Sequence, residues 1–168
     1  TIKSINGSVD SDGYKFHQFD CYQRSYIHFS LTNFTADMDF QLLKYNNNSQ
    51  AWEVVFNAES SSNSSEKFFK ILDPNSYVIA VTNYNNLFSQ SYTLKLDGKS
   101  FHEDTFLPND SKFEDQWSLL NYGQGDGFDN ADIYAPGAWK IRSTSPNIVV
   151  AVIDSGIDYN HEDLKNNI

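Results

Sequence analysis

The strongest constraint on the fold is a series of short runs in which apolar and polar residues alternate, each run closed by a turn-forming cluster. Tyr26-Ile27-His28-Phe29-Ser30-Leu31 alternates, and Asp39-Phe40-Gln41-Leu42-Leu43-Lys44-Tyr45 nearly does. Tyr77-Val78-Ile79-Ala80-Val81 and Tyr92-Thr93-Leu94-Lys95-Leu96 are further β-rich runs. Successive side chains of a strand point to opposite faces, so a period of two marks a strand with one buried face. Asp10-Ser11-Asp12-Gly13, Asn46-Asn47-Asn48-Ser49, residues 60–65 and Asp73-Pro74-Asn75 supply the turns. Helical periodicity is missing from this part. The spacing predicts an antiparallel all-β sandwich over residues 1–98, with 60–65 as a flexible hairpin loop inside it.

Composition allows such a core, since hydrophobic residues make up 39% of the 168 and aromatics 15%. The net charge of −10, with no Lys/Arg cluster, argues against nucleic acid or an anionic membrane as partner. The acid is uneven: residues 1–98 carry seven basic and ten acidic side chains, residues 99–168 five and twelve. The acidic second part suits bound cations or solubility. Cys21 is the sole cysteine, which excludes an intrachain disulfide and a cysteine metal site and predicts a small buried apolar role. No run of 18 apolar residues exists, so no membrane span is expected. The chain opens at Thr1 without a methionine or signal peptide and stops at Ile168 just after a motif, so both ends read as cuts. Glycosylation sequons at Asn6, Asn33, Asn47, Asn63 and Asn109 agree with a secreted protein, although several arise by chance in so Asn- and Ser-rich a chain.

Beyond the last β-rich run, residues 99–108 form a polar connector ending at Pro108. Mixed loops come next from Asn109, then a helical turn near Ala135-Pro136-Gly137-Ala138-Trp139. Asn147-Ile148-Val149-Val150-Ala151-Val152-Ile153 is a nearly unbroken β-branched run, which predicts a strand buried on both faces of a parallel sheet. It ends in Asp154-Ser155-Gly156. Working side chains of open α/β sheets project from the carboxyl ends of strands, and Gly156 lets the chain turn so that Asp154 faces a crevice. Rival readings of this aspartate meet obstacles. A phosphoacceptor lacks its earlier acidic pair, and an Asp-x-Asp phosphatase lacks a carboxylate at Gly156. A dinucleotide site lacks its upstream glycine fingerprint. A structural Asp capping the next turn stays open.

Two resemblances bear on these readings. Asp154-Ser155-Gly156-Ile157-Asp158, followed by His161-Glu162-Asp163-Leu164, resembles the aspartate region of the subtilisin-like serine proteases. Upstream, Pro108-Asn109-Asp110, Gln116-Trp117-Ser118-Leu119, Asn121-Tyr122-Gly123-Gln124, Ala131-Asp132-Ile133 and Ala138-Trp139 resemble that family's lead-in in the same order. Glu162 stands where the family usually has proline. The first part is similar to the bacterial pre-peptidase C-terminal domain, a small jelly-roll-like β-sandwich. That likeness is carried by Gly7-Ser8-Val9, Asp12, Tyr14-Lys15-Phe16, the segment 36–42, and the pair 72–81 and 91–96. That domain more often follows the catalytic domain than precedes it.

The resemblance implies a sandwich at 1–98, a linker at 99–108, and at 109–168 the truncated start of an α/β subtilisin-like domain with a parallel sheet. It makes Asp154 the aspartate of an Asp-His-Ser triad, accepting a hydrogen bond from the catalytic imidazole. The histidine and serine should come later in the chain, so these 168 residues alone should not hydrolyse peptides. His161 then corresponds to a structural histidine, while His17, His28 and His102 read as surface residues. No serine stands in a Gly-x-Ser-x-Gly context. The family also implies one structural calcium, held in part by Asp110 and Asp163. Trp117 and Trp139 are expected as core anchors. Ser155 replaces the second aspartate of the Asp-Asp-Gly found in proprotein convertases, which argues against a paired-basic specificity. Three roles emerge from these expectations: a secreted endopeptidase acting on protein or peptide, a sandwich that binds polymeric substrate, and a sandwich that covers the catalytic domain.

Overall fold

A computed structural model describes the chain except for residues 1, 59–64, 86, 102–104 and 125–126, so the expected loop at 60–65 lies largely outside the described residues. Eight strands come in order: β1 Ile2–Val9, β2 Tyr14–Cys21, β3 Ser25–Thr32, β4 Met38–Asn46, β5 Ala51–Ala58, β6 Ser65–Leu72, β7 Asn75–Asn83 and β8 Gln90–Ser100. They form two four-stranded sheets, ordered β1-β8-β3-β6 (sheet A) and β2-β7-β4-β5 (sheet B). Every pairing is antiparallel, so the sandwich expected from the alternation is present.

The turns use the chemistry that the sequence offers. At the β1–β2 turn Asp12 takes φ 52° and the Gly13 amide donates to the Asp10 carbonyl at 3.0 Å. Between β4 and β5 the Asn46 side-chain oxygen accepts from the Asn48 and Ser49 amides at 2.8 and 3.3 Å. Asn83, fully buried on β7, donates to the carbonyls of Val9, Asp10 and Phe88 and so ties two loops together.

Between the sheets lies one apolar core, built from the inward positions that the period of two picks out. Phe29 and Leu31 from β3, Met38, Phe40 and Leu42 from β4, Ile79 and Val81 from β7, and Leu94 from β8 are fully buried. Phe68 of β6 stands at its centre, with ring centroids 4.6 Å from Phe29, 4.9 Å from Phe40 and 4.2 Å from Phe56. It therefore packs aromatic rings of both sheets together. Gly7 of β1 is required by a close approach: a Cβ there would lie 2.5 Å from the Tyr92 ring. Cys21 is buried, as expected, with its thiol donating to the Gln23 carbonyl at 2.9 Å.

Residues after β8 fold against sheet A. Leu107, Phe113 and Leu120 form a second buried cluster with Ile71, Phe101, Tyr122 and Trp139 packed on it. A 3-10 turn spans Phe113–Asp115, and the helix α1 spans Ala135–Ile141 where a helical turn was expected. Pro136 sits in its first turn, where a missing amide proton costs nothing. Trp139 is half-buried at Phe113, but Trp117 is 58% exposed, which corrects its expected role as a core anchor.

Residues 147–153 depart from expectation. They form no strand in any sheet, and Val149 and Ile153 are 95% and 100% exposed. The physical reason is the lack of partners. A strand of a parallel sheet needs neighbours on both edges and helices on both faces, and the described residues of this chain supply neither. The architecture is thus an antiparallel sandwich with one short helix, without an α/β layer among the described residues.

Candidate functional site

Asp154 lies at the end of the β-branched run and is exposed. Its Oδ1 accepts a hydrogen bond from the Ser155 amide at 2.6 Å and faces the Ser155 hydroxyl at 3.3 Å. This is the local geometry of an aspartate opening a turn, and it is made through Oδ1 alone. Downstream, Asp158 Oδ1 accepts from the Asn160 amide at 3.0 Å and the Asp158 carbonyl from the His161 amide at 3.1 Å. Two successive turns therefore come after the run, each set by an aspartate.

His161 is occupied within its own turn. Its Nδ1 accepts from the Asp163 amide at 3.2 Å and lies 3.8 Å from Asp163 Oδ2. An accepting Nδ1 places the proton of the neutral ring on Nε2. The Asp163 side chain is 81% exposed. Asp110 is engaged elsewhere: Oδ1 accepts from the Lys112 amide at 2.7 Å and Oδ2 from Gln116 Nε2 at 3.2 Å. Asp110 thus opens the Phe113–Asp115 turn. Calcium wants six to eight oxygens around one point, and no group of three or more His, Cys, Asp or Glu side chains that could hold a metal exists among the described residues.

His17 corrects the expectation of a plain surface histidine. It points from β2 between the sheets, where its Nε2 meets the Tyr92 hydroxyl at 2.5 Å. Burial first, then the charges of Lys15 and Lys3, lowers its pKa below 6.5. Tyr92 is raised by burial, and burial with the nearby Cys21 and Asp73 pushes Tyr77 up to about 12.

The residues that sequence reasoning missed are those joining the sandwich to the segment after β8. Tyr26 is buried although it sits on the outer face of sheet A, because Tyr122 stacks on it with ring centroids 4.3 Å apart. The Tyr26 hydroxyl donates to the Tyr122 carbonyl at 2.7 Å. Burial, followed by the charges of Asp129 and Asp97, raises the Tyr26 pKa. Adjacent apolar pairs on β6, Phe68-Phe69 and Ile71-Leu72, were the available signal, since a strand apolar on both faces is covered on both.

No family model matches the chain. Over 61 residues it is 43% identical to the PC3-like endoprotease variant B of Hydra vulgaris, a match covering 36% of this chain and 9% of that protein. Human neuroendocrine convertase 2 is 41% identical over 59 residues, covering 35% of this chain and again 9% of the relative. The chain therefore spans about a tenth of the length of the curated relatives it matches. Among solved structures, the pre-peptidase C-terminal domain of a Bacillus anthracis collagenase superposes with a TM-score of 0.43 at 20% identity, over 58% of this chain and 88% of that one. A Yersinia pseudotuberculosis-derived mitogen gives 0.46 at 16% identity, over 66% and 92%. Superpositions this loose add nothing to the argument. A third of the chain is thus similar in sequence to convertase-type endoproteases, the branch from which Ser155 had set it apart.

Proposed function

We propose that this chain contributes to a subtilisin-like serine endopeptidase of the secretory pathway or extracellular space, with Asp154 as the triad aspartate. The observation that carries the reading is the 61-residue match at 43% identity to a convertase-type endoprotease. That span is as long as the segment 108–168, which holds the Asp154-Ser155-Gly156 motif. In this role the Asp154 carboxylate accepts the imidazole Nδ1–H, fixes its tautomer and stabilises the imidazolium formed when Nε2 takes the serine proton. The base and the nucleophile come from later residues of the full protease, whose peptidase domain starts at 109 after a sandwich at 1–98 and a linker at 99–108. Asp154→Asn in the full protease should lower kcat by about 10⁴-fold while leaving the melting temperature unchanged. That magnitude is carried over from other serine proteases. Wild-type turnover in the variant would make Asp154 structural.

Calcium belongs to the same proposal. Asp110 would give up its Lys112 and Gln116 contacts and Asp163 would bring an exposed carboxylate, with the remaining oxygens from later residues. Melting curves of the full protease with and without chelator, repeated for Asp110→Ala and Asp163→Ala, test this. A variant that keeps the whole calcium-dependent shift removes that residue from the ligand set.

A second reading concerns the sandwich as a module for polymeric substrate. Strand alternation puts Tyr14 and Phe16 on the outer face of sheet B, and Tyr45 with Trp52 at its other edge. Tyr14, Phe16, Trp52 and Val54 are 66%, 58%, 40% and 52% exposed. Two aromatic pairs on one face, Tyr14 with Phe16 and Tyr45 with Trp52, favour a binding surface. Retention on insoluble protein or polysaccharide, reduced in Phe16→Ala and Trp52→Ala, is the expected outcome, and equal retention of both variants rejects it.

A further inference from the structure

We propose that the outer face of sheet A is a docking platform for residues 107–124, so that the sandwich holds the segment leading to Asp154 in place and does not swing on a free connector. This rests on the endopeptidase reading only for what the segment leads to. The grip itself is independent of it.

Three kinds of contact make the grip. The first is aromatic: Tyr122 lies on Tyr26 at an interplanar angle of 25°, donor and acceptor locked by the 2.7 Å hydrogen bond, and Phe101 meets Tyr122 edge-on at 5.5 Å. The second is ionic and polar through Glu114. Its Oε2 lies 2.5 Å from Lys70 Nζ, and its Oε1 accepts from the Ile71 amide at 2.9 Å. Strand β6 is the edge of sheet A, so its outward amides lack a neighbouring strand, and the Glu114 carboxylate takes the acceptor position that strand would fill. Both side chains are mostly shielded, 30% and 21% exposed, where such a pair is screened less than at an open surface. The third is apolar: Leu107, Phe113 and Leu120 close over Ile71 and Phe101. Lys99 pairs with Asp129 beside them.

From this platform the order passes along the chain. Asp132 accepts from the Asn121 and Tyr134 amides, both at 2.5 Å, and the Ala135 amide donates to the Leu119 carbonyl at 2.9 Å. The docked segment therefore orients α1, the last helix before the run that ends in Asp154. Residues 101 and 107, inside what the sequence reads as a linker, are packed and do not act as a hinge.

Amide hydrogen exchange on the 168-residue chain tests the grip without any reference to activity. In the wild type, the Leu119, Asn121 and Ala135 amides should exchange at least about a hundredfold more slowly than Val150 and Val152 in the exposed segment. Glu114→Gln keeps an oxygen for the Ile71 amide but removes the charge facing Lys70. It should speed exchange at Ile71, Leu119, Asn121 and Ala135 by about tenfold. Tyr26→Phe should do so by about threefold, and Ile79 and Val81 of sheet B should stay unchanged in both. Unchanged exchange at Leu119 and Ala135 in Glu114→Gln overturns the proposal. An equal rise in sheet B also overturns it, because the residue would then act on global stability alone. The endopeptidase reading fails by a different result, full turnover in Asp154→Asn, so the two failures are distinguishable.

Discussion

Two stretches of this chain are rich in strand-forming residues and end in opposite states. In the sandwich, Phe29, Leu31, Phe40, Leu42, Ile79 and Leu94 are fully buried. In the run 147–153, Ile148, Val149, Val150, Val152 and Ile153 are all strongly exposed, the least of them at 66%. Local propensity favours a strand in both. The difference lies in where partners come from. Each sandwich strand finds its neighbours and its facing sheet within the first hundred residues, because an antiparallel strand with one buried face needs only a returning chain. A run apolar on both faces needs two layers of cover and parallel neighbours at a distance in sequence. β-propensity is a statement about fitting a half-buried pleated surface, and it becomes structure only where that surface exists.

The contrast can be broken most directly at its buried end. Phe68→Ala removes the ring that joins Phe29, Phe40 and Phe56 across both sheets and should cost about 3–5 kcal/mol, read as a fall in the midpoint of urea unfolding. A smaller loss would mean that these three rings collapse into the space. Gly7→Ala comes next. Its new methyl meets the Tyr92 ring, and overpacking of this kind costs about 1–3 kcal/mol, measured in the same titration. A neutral result would show that β1, an edge strand, gives way.

A pH series sharpens the comparison further, because His17 belongs only to the sandwich. Its folded pKa lies below the 6.5 of the unfolded chain, so the unfolded state takes the proton first as pH falls. Stability should be full above pH 6.5 and decline as pH drops below it through the folded value. His17→Gln should flatten that part of the profile in thermal melts, and an unchanged slope in the variant would assign the loss to other groups. The smallest effect is expected in the exposed run. Ile153→Ser should change the stability of this chain by no more than about 0.5 kcal/mol. A loss comparable to Gly7→Ala would show that the run does pack on the sandwich in solution.

Half of the strands were legible from the sequence. β3 alternates, β4 nearly does, and β7 and β8 are β-rich runs between turn clusters; the structure finds these four within two residues at most ends and four at the end of β8. β5 hides because Val54-Val55-Phe56 runs apolar through three positions, where a register shift between Leu42 and Leu43 places an extra residue opposite β4. β6 hides because Phe69 packs beside Tyr26 and Ile71 beside the Leu107 cluster on the outer face, while Phe68 and Leu72 face the core. Of the candidate site, the sequence marks the aspartates, and the structure shows Asp154, Asp110 and Asp163 each in its own local turn.

What the sequence determined by itself was the sandwich, its turns and the positions of the apolar face, since these arise from a two-residue period and from local turn chemistry. The similarity to endoproteases was likewise legible in the order of short motifs around Asp154. Only the tertiary structure decided that Tyr26 is buried on an outer face, that Glu114 fills the edge of β6, that His17 lies between the sheets, and that the run 147–153 stays uncovered. Each of these depends on contacts between residues 40 or more positions apart, or on the lack of such contacts, and no local pattern encodes that.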